Sequence, residues 1–86
     1  MKKLLEHQSI LKDCVHYNSE AIKASFVINS CRATLIETEK DLSMAQSVRE
    51  LHINHYTDEM NKAIAEKTIC LNKYADCIKR LIEEVI

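Results

Sequence analysis

Apolar residues recur at three- and four-residue steps along most of the chain, the spacing that gathers side chains on one side of a helix. Stepping about 100° per residue, Leu4, Leu11, Val15, Ile22, Phe26, Ala33 and Ile36 form one stripe, with Ile10, Cys14, Ala21 and Ile28 along its flank. A second stripe runs through Leu42, Ile53, Tyr56, Met60, Ile64, Leu71, Tyr74, Ile78, Leu81 and Val85 in a different phase. The polar run Glu37-Thr38-Glu39-Lys40-Asp41 lies where the phase jumps. The expected fold is therefore all-α, a single domain over 1–86 shaped as a long antiparallel helical hairpin. Arm one is expected over about 3–37, the turn over about 37–42 and arm two over about 43–86, each arm roughly 50–65 Å long. In that register facing positions sum to about 84, which sets Cys14 opposite Cys70. Leu11, Val15, Ile22 and Phe26 of arm one, and Met60, Ile64, Leu71, Tyr74, Ile78 and Leu81 of arm two, are expected to pack in the core or between subunits.

Two segments resemble helix starts and would break the arms. Thr57-Asp58-Glu59 sets a capping hydroxyl before two acids, and Asn18-Ser19-Glu20 repeats the arrangement. With both breaks the hairpin would become a three- or four-helix bundle. The same neighbourhoods hold a short internal similarity, His16 to Ala24 against His55 to Ala63, with Cys31 and Cys70 at the same offset. The expected core does not repeat with it, because Leu11, Val15 and Ile22 correspond to Glu50, Asn54 and Asn61. Asn18, Ser25 and Asn29 interrupt the first stripe and Lys67 the second; buried polar groups of this kind can fix register in helical assemblies, and exposed ones are simply hydrated.

Just beyond the turn, Met44, Val48 and Leu51 share a face almost opposite the second stripe, and Ile69 recurs on that side. A two-helix hairpin covers one face per helix, so these four residues are the expected partner-binding surface. A homodimer of two hairpins forming a four-helix bundle, similar to coiled-coil packing, would cover further apolar surface and is the expected assembly.

Composition narrows the reading. The 86 residues include no glycine and no proline, where average usage would supply roughly ten of the two together. Tight hairpins and phosphate-cradling loops depend on those residues, so sheet-rich folds and loop-built active sites lose their means of construction. Twelve basic and 13 acidic residues leave a net charge of −1, without the basic excess of a nucleic-acid binder or the one-sign imbalance of a disordered chain. No apolar run approaches the roughly 18 residues needed to span a bilayer, and the opening Met1-Lys2-Lys3-Leu4-Leu5 is cut short by Glu6. The expectation is a soluble cytoplasmic protein that binds neither nucleic acid nor membrane.

Cys70 and Cys77 lie seven apart, about 10 Å along one helix and beyond disulfide reach; the four cysteines are expected to be reduced, partly buried thiols, with a cross-helix Cys14–Cys70 bond as the alternative. His52, His55 and Glu59 project within about 60° of one another and are the weak metal candidates, but no clear fourth ligand accompanies them. No cofactor is implied, and no nucleophile elbow or oxyanion loop is present to support an enzyme. The sequence thus points to a small non-enzymatic interaction module that buries helix faces on another protein, as a chaperone-like partner or a phage- or plasmid-type inhibitor. A self-assembling structural protein and a metal- or thiol-responsive regulator are the alternatives.

Overall fold

In the computed structural model, which describes residues 2–85 and the side chains of residues 7–84, the chain forms two helices, α1 over Lys2–Lys40 and α2 over Gln46–Val85. They lie antiparallel in a rod 65 Å long and 14 × 13 Å across its Cα positions. The expected contributions of Leu4 and Val85 to the stripes lie outside the described side chains. Both helices run unbroken through Asn18 and Thr57, so the three- or four-helix alternative does not form. Polar residues cost only a few tenths of a kcal/mol each inside a helix, less than continuous packing against the other helix returns.

The turn occupies residues 41–45, later than expected. Asp41 organises it: its carboxylate accepts the Ser43 backbone N–H at 3.0 Å and the Ser43 hydroxyl, while its own N–H donates to the Thr38 carbonyl at 3.3 Å. Arg49 reaches back from the first turn of α2 and donates to the Asp41 and Met44 carbonyls, satisfying acceptors of the turn itself. Leu42, expected in the second stripe, instead stands 87% exposed in this turn. The two Ser43 hydrogen bonds, helped by Arg49, hold the Asp41 carboxyl below the usual aspartate range. The stabilising contribution of a carboxylate with a depressed pKa is complete above the unfolded value and is lost as pH falls through the folded one. Asp41→Asn should therefore lower the melting temperature at neutral pH, and the difference from the parent should vanish on acidification; a difference that grows in acid would refute this account of the turn.

Because the axis of the reversal lies about three and a half residues later, the register moves by twice that amount. His7 faces Glu84 and Cys14 faces Cys77, so facing positions sum to 91 rather than about 84, a displacement of one heptad. Cys14 consequently meets Cys77 and not Cys70. The buried and half-buried positions of α1 follow alternating steps of three and four through Ile10, Cys14, Tyr17, Ala21, Ala24, Ile28, Cys31, Leu35 and Thr38. Those of α2 do the same through Ile53, Tyr56, Met60, Ala63, Lys67, Cys70, Tyr74, Cys77 and Leu81. This is heptad spacing, and it lets the register set a small residue level with a large one: Ile28 with Ala63, Cys31 with Met60, and Ala24 with the half-buried stem of Lys67.

Within the hairpin the seam therefore runs along the flank of the first stripe, and the stripe's own large residues are not in the intrachain core. Leu11, Val15, Ile22 and Phe26 point away from α2 and are exposed, while their supposed flank, Ile10, Cys14, Ala21 and Ile28, forms the seam. In α2, Met60, Tyr74, Ile78 and Leu81 are half-buried as the second stripe requires, whereas Ile64 and Leu71 are exposed beside it. The physical cause is side-chain size: Leu11, Val15 and Ile22 follow the seam residues Ile10, Cys14 and Ala21 by one position throughout, and their larger apolar side chains draw the stripe onto the neighbouring row.

The internal similarity also changes meaning. Tyr17 and Tyr56, Ala24 and Ala63, and Cys31 and Cys70 all occupy the seam. What repeats between the helices is the contact surface, and the residues that fail to repeat, Leu11, Val15 and Ile22, lie outside it.

Candidate functional site

The expected partner-binding residues are only partly brought together. Val48 and Leu51 project from the first turns of α2 and are exposed, Leu51 to 69%, while Met44 is half-buried in the adjoining turn. Ile69 is also exposed but lies 18 residues along α2 from Leu51, about 27 Å away, and belongs to no common patch with it. What Leu51 does join is an aromatic group. Leu51, His52, His55 and Tyr56 line a shallow depression in which the His55 ring meets Tyr56 edge-on at 5.0 Å and the His52 ring stacks on it at 6.2 Å. The residues come together because positions three and four apart share a helix face.

That arrangement engages the weak metal candidates differently from a metal site. Both imidazoles pack on Tyr56, and Glu59 lies 3.7 Å from Lys62. Among the described residues no three His, Cys, Asp or Glu side chains converge on a common point. The turn end thus offers a small apolar and aromatic surface suited to contact with an apolar side chain.

At the opposite end, Ile10, Cys14 and Cys77 form the core cluster, with Tyr17, Tyr74, Ile78 and Leu81 packed around it. Lys73 extends over the Tyr17 ring at 5.5 Å, adding a cation–π contact across the helices. His7 Nε2 lies 3.4 Å from Glu84 Oε2, close enough for an ion pair but misaligned for a hydrogen bond, which leaves that nitrogen covered and without a hydrogen-bond partner. Loss of solvent raises the Cys14 thiol above the ordinary cysteine range, and the neighbouring Cys77 pushes in the same direction. All four cysteines are free thiols. Mild oxidation with diamide, which accepts the two electrons and two protons released by a pair of thiols, should join Cys14 to Cys77; a Cys14–Cys70 link in the peptide mass map would overturn the register.

The two sides of the seam differ chemically. Asp13 and Arg80, each one residue before a seam position, line the same groove with Ser9, Ile10 and Glu84. That side also carries Glu59, Lys73 and the ion pair of Lys23 with Glu20 at 3.2 Å. Val27 and the turn-end patch with Val48 also lie on this side, and a groove lined by Phe26, Val27, Ser30 and Cys31 opens near it on α1. The residues one place after each seam position form the other side, where Leu11, Val15, Ile22 and Leu71 are exposed. Sequence reasoning grouped these with the core; the available signal was that they keep heptad spacing one residue out of step with the small residues of the seam.

Comparison with protein families, with curated proteins and with solved structures returns no match for this chain. No helix among the described residues is long and apolar enough to cross a membrane.

Proposed function

We propose that this protein is a small non-enzymatic interaction module that binds another protein by burying helix faces, in the manner of a chaperone-like or inhibitor-like partner such as phages and plasmids encode. One observation carries the reading. Among the described residues no large side chain is fully buried, whereas 13 large hydrophobic ones are exposed, Phe26 to 71% and Leu51 to 69%. Scattered exposed aliphatics are ordinary, but a rod two helices thick that leaves this many large apolar side chains outside its seam has its binding capacity on the outside. The straight, preordered helices would lose little conformational entropy on docking, which favours helix-face recognition over a folding-upon-binding mechanism.

The turn-end surface of Val48, Leu51 and the His52–His55–Tyr56 group is assigned to the partner, because an apolar side chain beside two imidazoles and a phenol provides both desolvation energy and hydrogen-bonding edges. The double variant Val48→Glu/Leu51→Glu should keep full helicity and lose the protein that the parent captures from its native source. Unchanged capture by the variant would remove this surface from the proposal.

A further inference from the structure

We infer that the side of the hairpin carrying Leu11, Val15 and Ile22 is the contact surface for a second copy of this chain, paired turn beside turn. This extends the interaction-module reading to a different surface and a specified occupant. In an antiparallel pair, the rows one residue before the seam flank it on one side and the rows one residue after it flank the other. Asp13 and Arg80 in a common groove identify the first side, so the second is formed by Leu11, Val15 and Ile22 of α1 with Leu71, Ile78 and Ile82 of α2.

Charge singles this side out. From Leu11 to Asn29 in α1 and from Asn54 to Ile82 in α2, the row following the seam holds no Asp, Glu, Lys or Arg. The row preceding the seam over the same stretch includes Asp13, Glu20, Lys23, Glu59, Lys73 and Arg80. A partner of opposite charge would find nothing on the neutral side to recognise, whereas a twofold-related copy meets no like charge there. Two of the polar groups on it are also cheap to cover. Ser25 donates its hydroxyl to the Ala21 carbonyl at 3.1 Å and Thr68 to the Ile64 carbonyl at 3.0 Å, so both donors are satisfied before any contact forms.

Size and polarity along the rod select the arrangement. The stretch neutral on both helices is roughly 30 Å long and roughly 20 Å wide, so two copies would bury on the order of 1,200 Å² in total, the lower end of what specific association needs. The aliphatic residues concentrate toward the free ends, and Arg32, Glu39 and Glu50 occupy the same row near the turn. Pairing turn beside turn sets aliphatic against aliphatic. The reverse orientation would press that surface against the three charges, at a desolvation cost.

Sedimentation of the full chain across the micromolar range should show a reversible dimer. Val15→Glu/Ile22→Glu should sediment as a monomer with unchanged helicity, since both side chains already face solvent in the single hairpin. Val27→Glu, also at an exposed site but on the charged side, should leave the dimer intact. Donor and acceptor dyes at the chain termini of mixed protomers should transfer energy strongly, because the free ends lie together. A monomeric parent, a dimer that survives the double substitution, dissociation caused equally by Val27→Glu, or termini held a rod length apart would each overturn the inference. Capture of a partner by the Val15→Glu/Ile22→Glu variant through the turn end would leave the interaction-module reading standing, so the two can fail separately.

Discussion

Replacing Ala63 with lysine is expected to abolish the folded hairpin near room temperature. Ala63 is 4% exposed at the middle of the α2 seam, level with the buried Ile28, where the helices approach closely because the side chain between them is small. A lysine stem there must spread the helices or drive Ile28 from its position, and overpacking of this kind costs about 1–3 kcal/mol. Its ammonium would also lie four residues from Lys67, a half-buried cation on the same seam, so charge burial adds to like-charge repulsion. A two-helix domain of this size has only a few kcal/mol in reserve, so the combined cost exceeds its stability. Ala65→Lys supplies the control, since Ala65 is exposed two positions further on and should change the melting temperature little. Circular dichroism at fixed protein concentration reads both. An Ala63→Lys variant as helical and as stable as the parent would mean that the seam is drawn in the wrong place.

Truncating Ile10 to alanine should cost about 2–5 kcal/mol, as for other buried aliphatic residues. Ile10 is 4% exposed and caps the Cys14–Cys77 cluster near the free end, where no covalent turn holds the helices together. Phe26→Ala removes a larger side chain yet should alter folding stability by about 0.5 kcal/mol or less, because Phe26 is 71% exposed and alanine is the better helix former. Urea denaturation of the two variants reads the contrast directly. Equal costs would restore Phe26 to the core in which its periodicity first placed it.

The contrast between Ile10 and Phe26 also shows why part of the architecture was legible and part was not. In α2 the large apolar residues Tyr56, Met60, Tyr74 and Leu81 lie on the contact line, so periodicity located that seam. In α1 the contact line alternates Ile10, Tyr17, Ile28 and Leu35 with the small residues Cys14, Ala21, Ala24, Cys31 and Thr38, while the large Leu11, Val15, Ile22 and Phe26 stand one or two positions away. Hydrophobicity weighs Leu11 and Phe26 above Cys14 and Ala21. Close helix packing reverses the order, because small side chains shorten the interaxial distance and the gain comes from the packing of both surfaces together. The turn-end site was partly visible: Val48 and Leu51 could be paired from their spacing, but Ile69 could not be separated from them without the length of the helix. The neutral side was present in the sequence as a stretch without charge, and it became recognisable once the seam gave each residue a side.

Composition and periodicity by themselves determined that this chain is helical, that it folds back once near its middle, and that it carries more apolar surface than two helices can hide. Those properties are local: they depend on backbone freedom, helix propensity and the three- and four-residue repeat. Only the tertiary structure decided which of two adjacent rows of α1 meets α2, that Cys14 faces Cys77, and which side of the rod is left neutral. Each of these depends on where the turn falls and on how closely opposed side chains fit, and a shift of about three and a half residues in the reversal moves every facing pair by a full heptad.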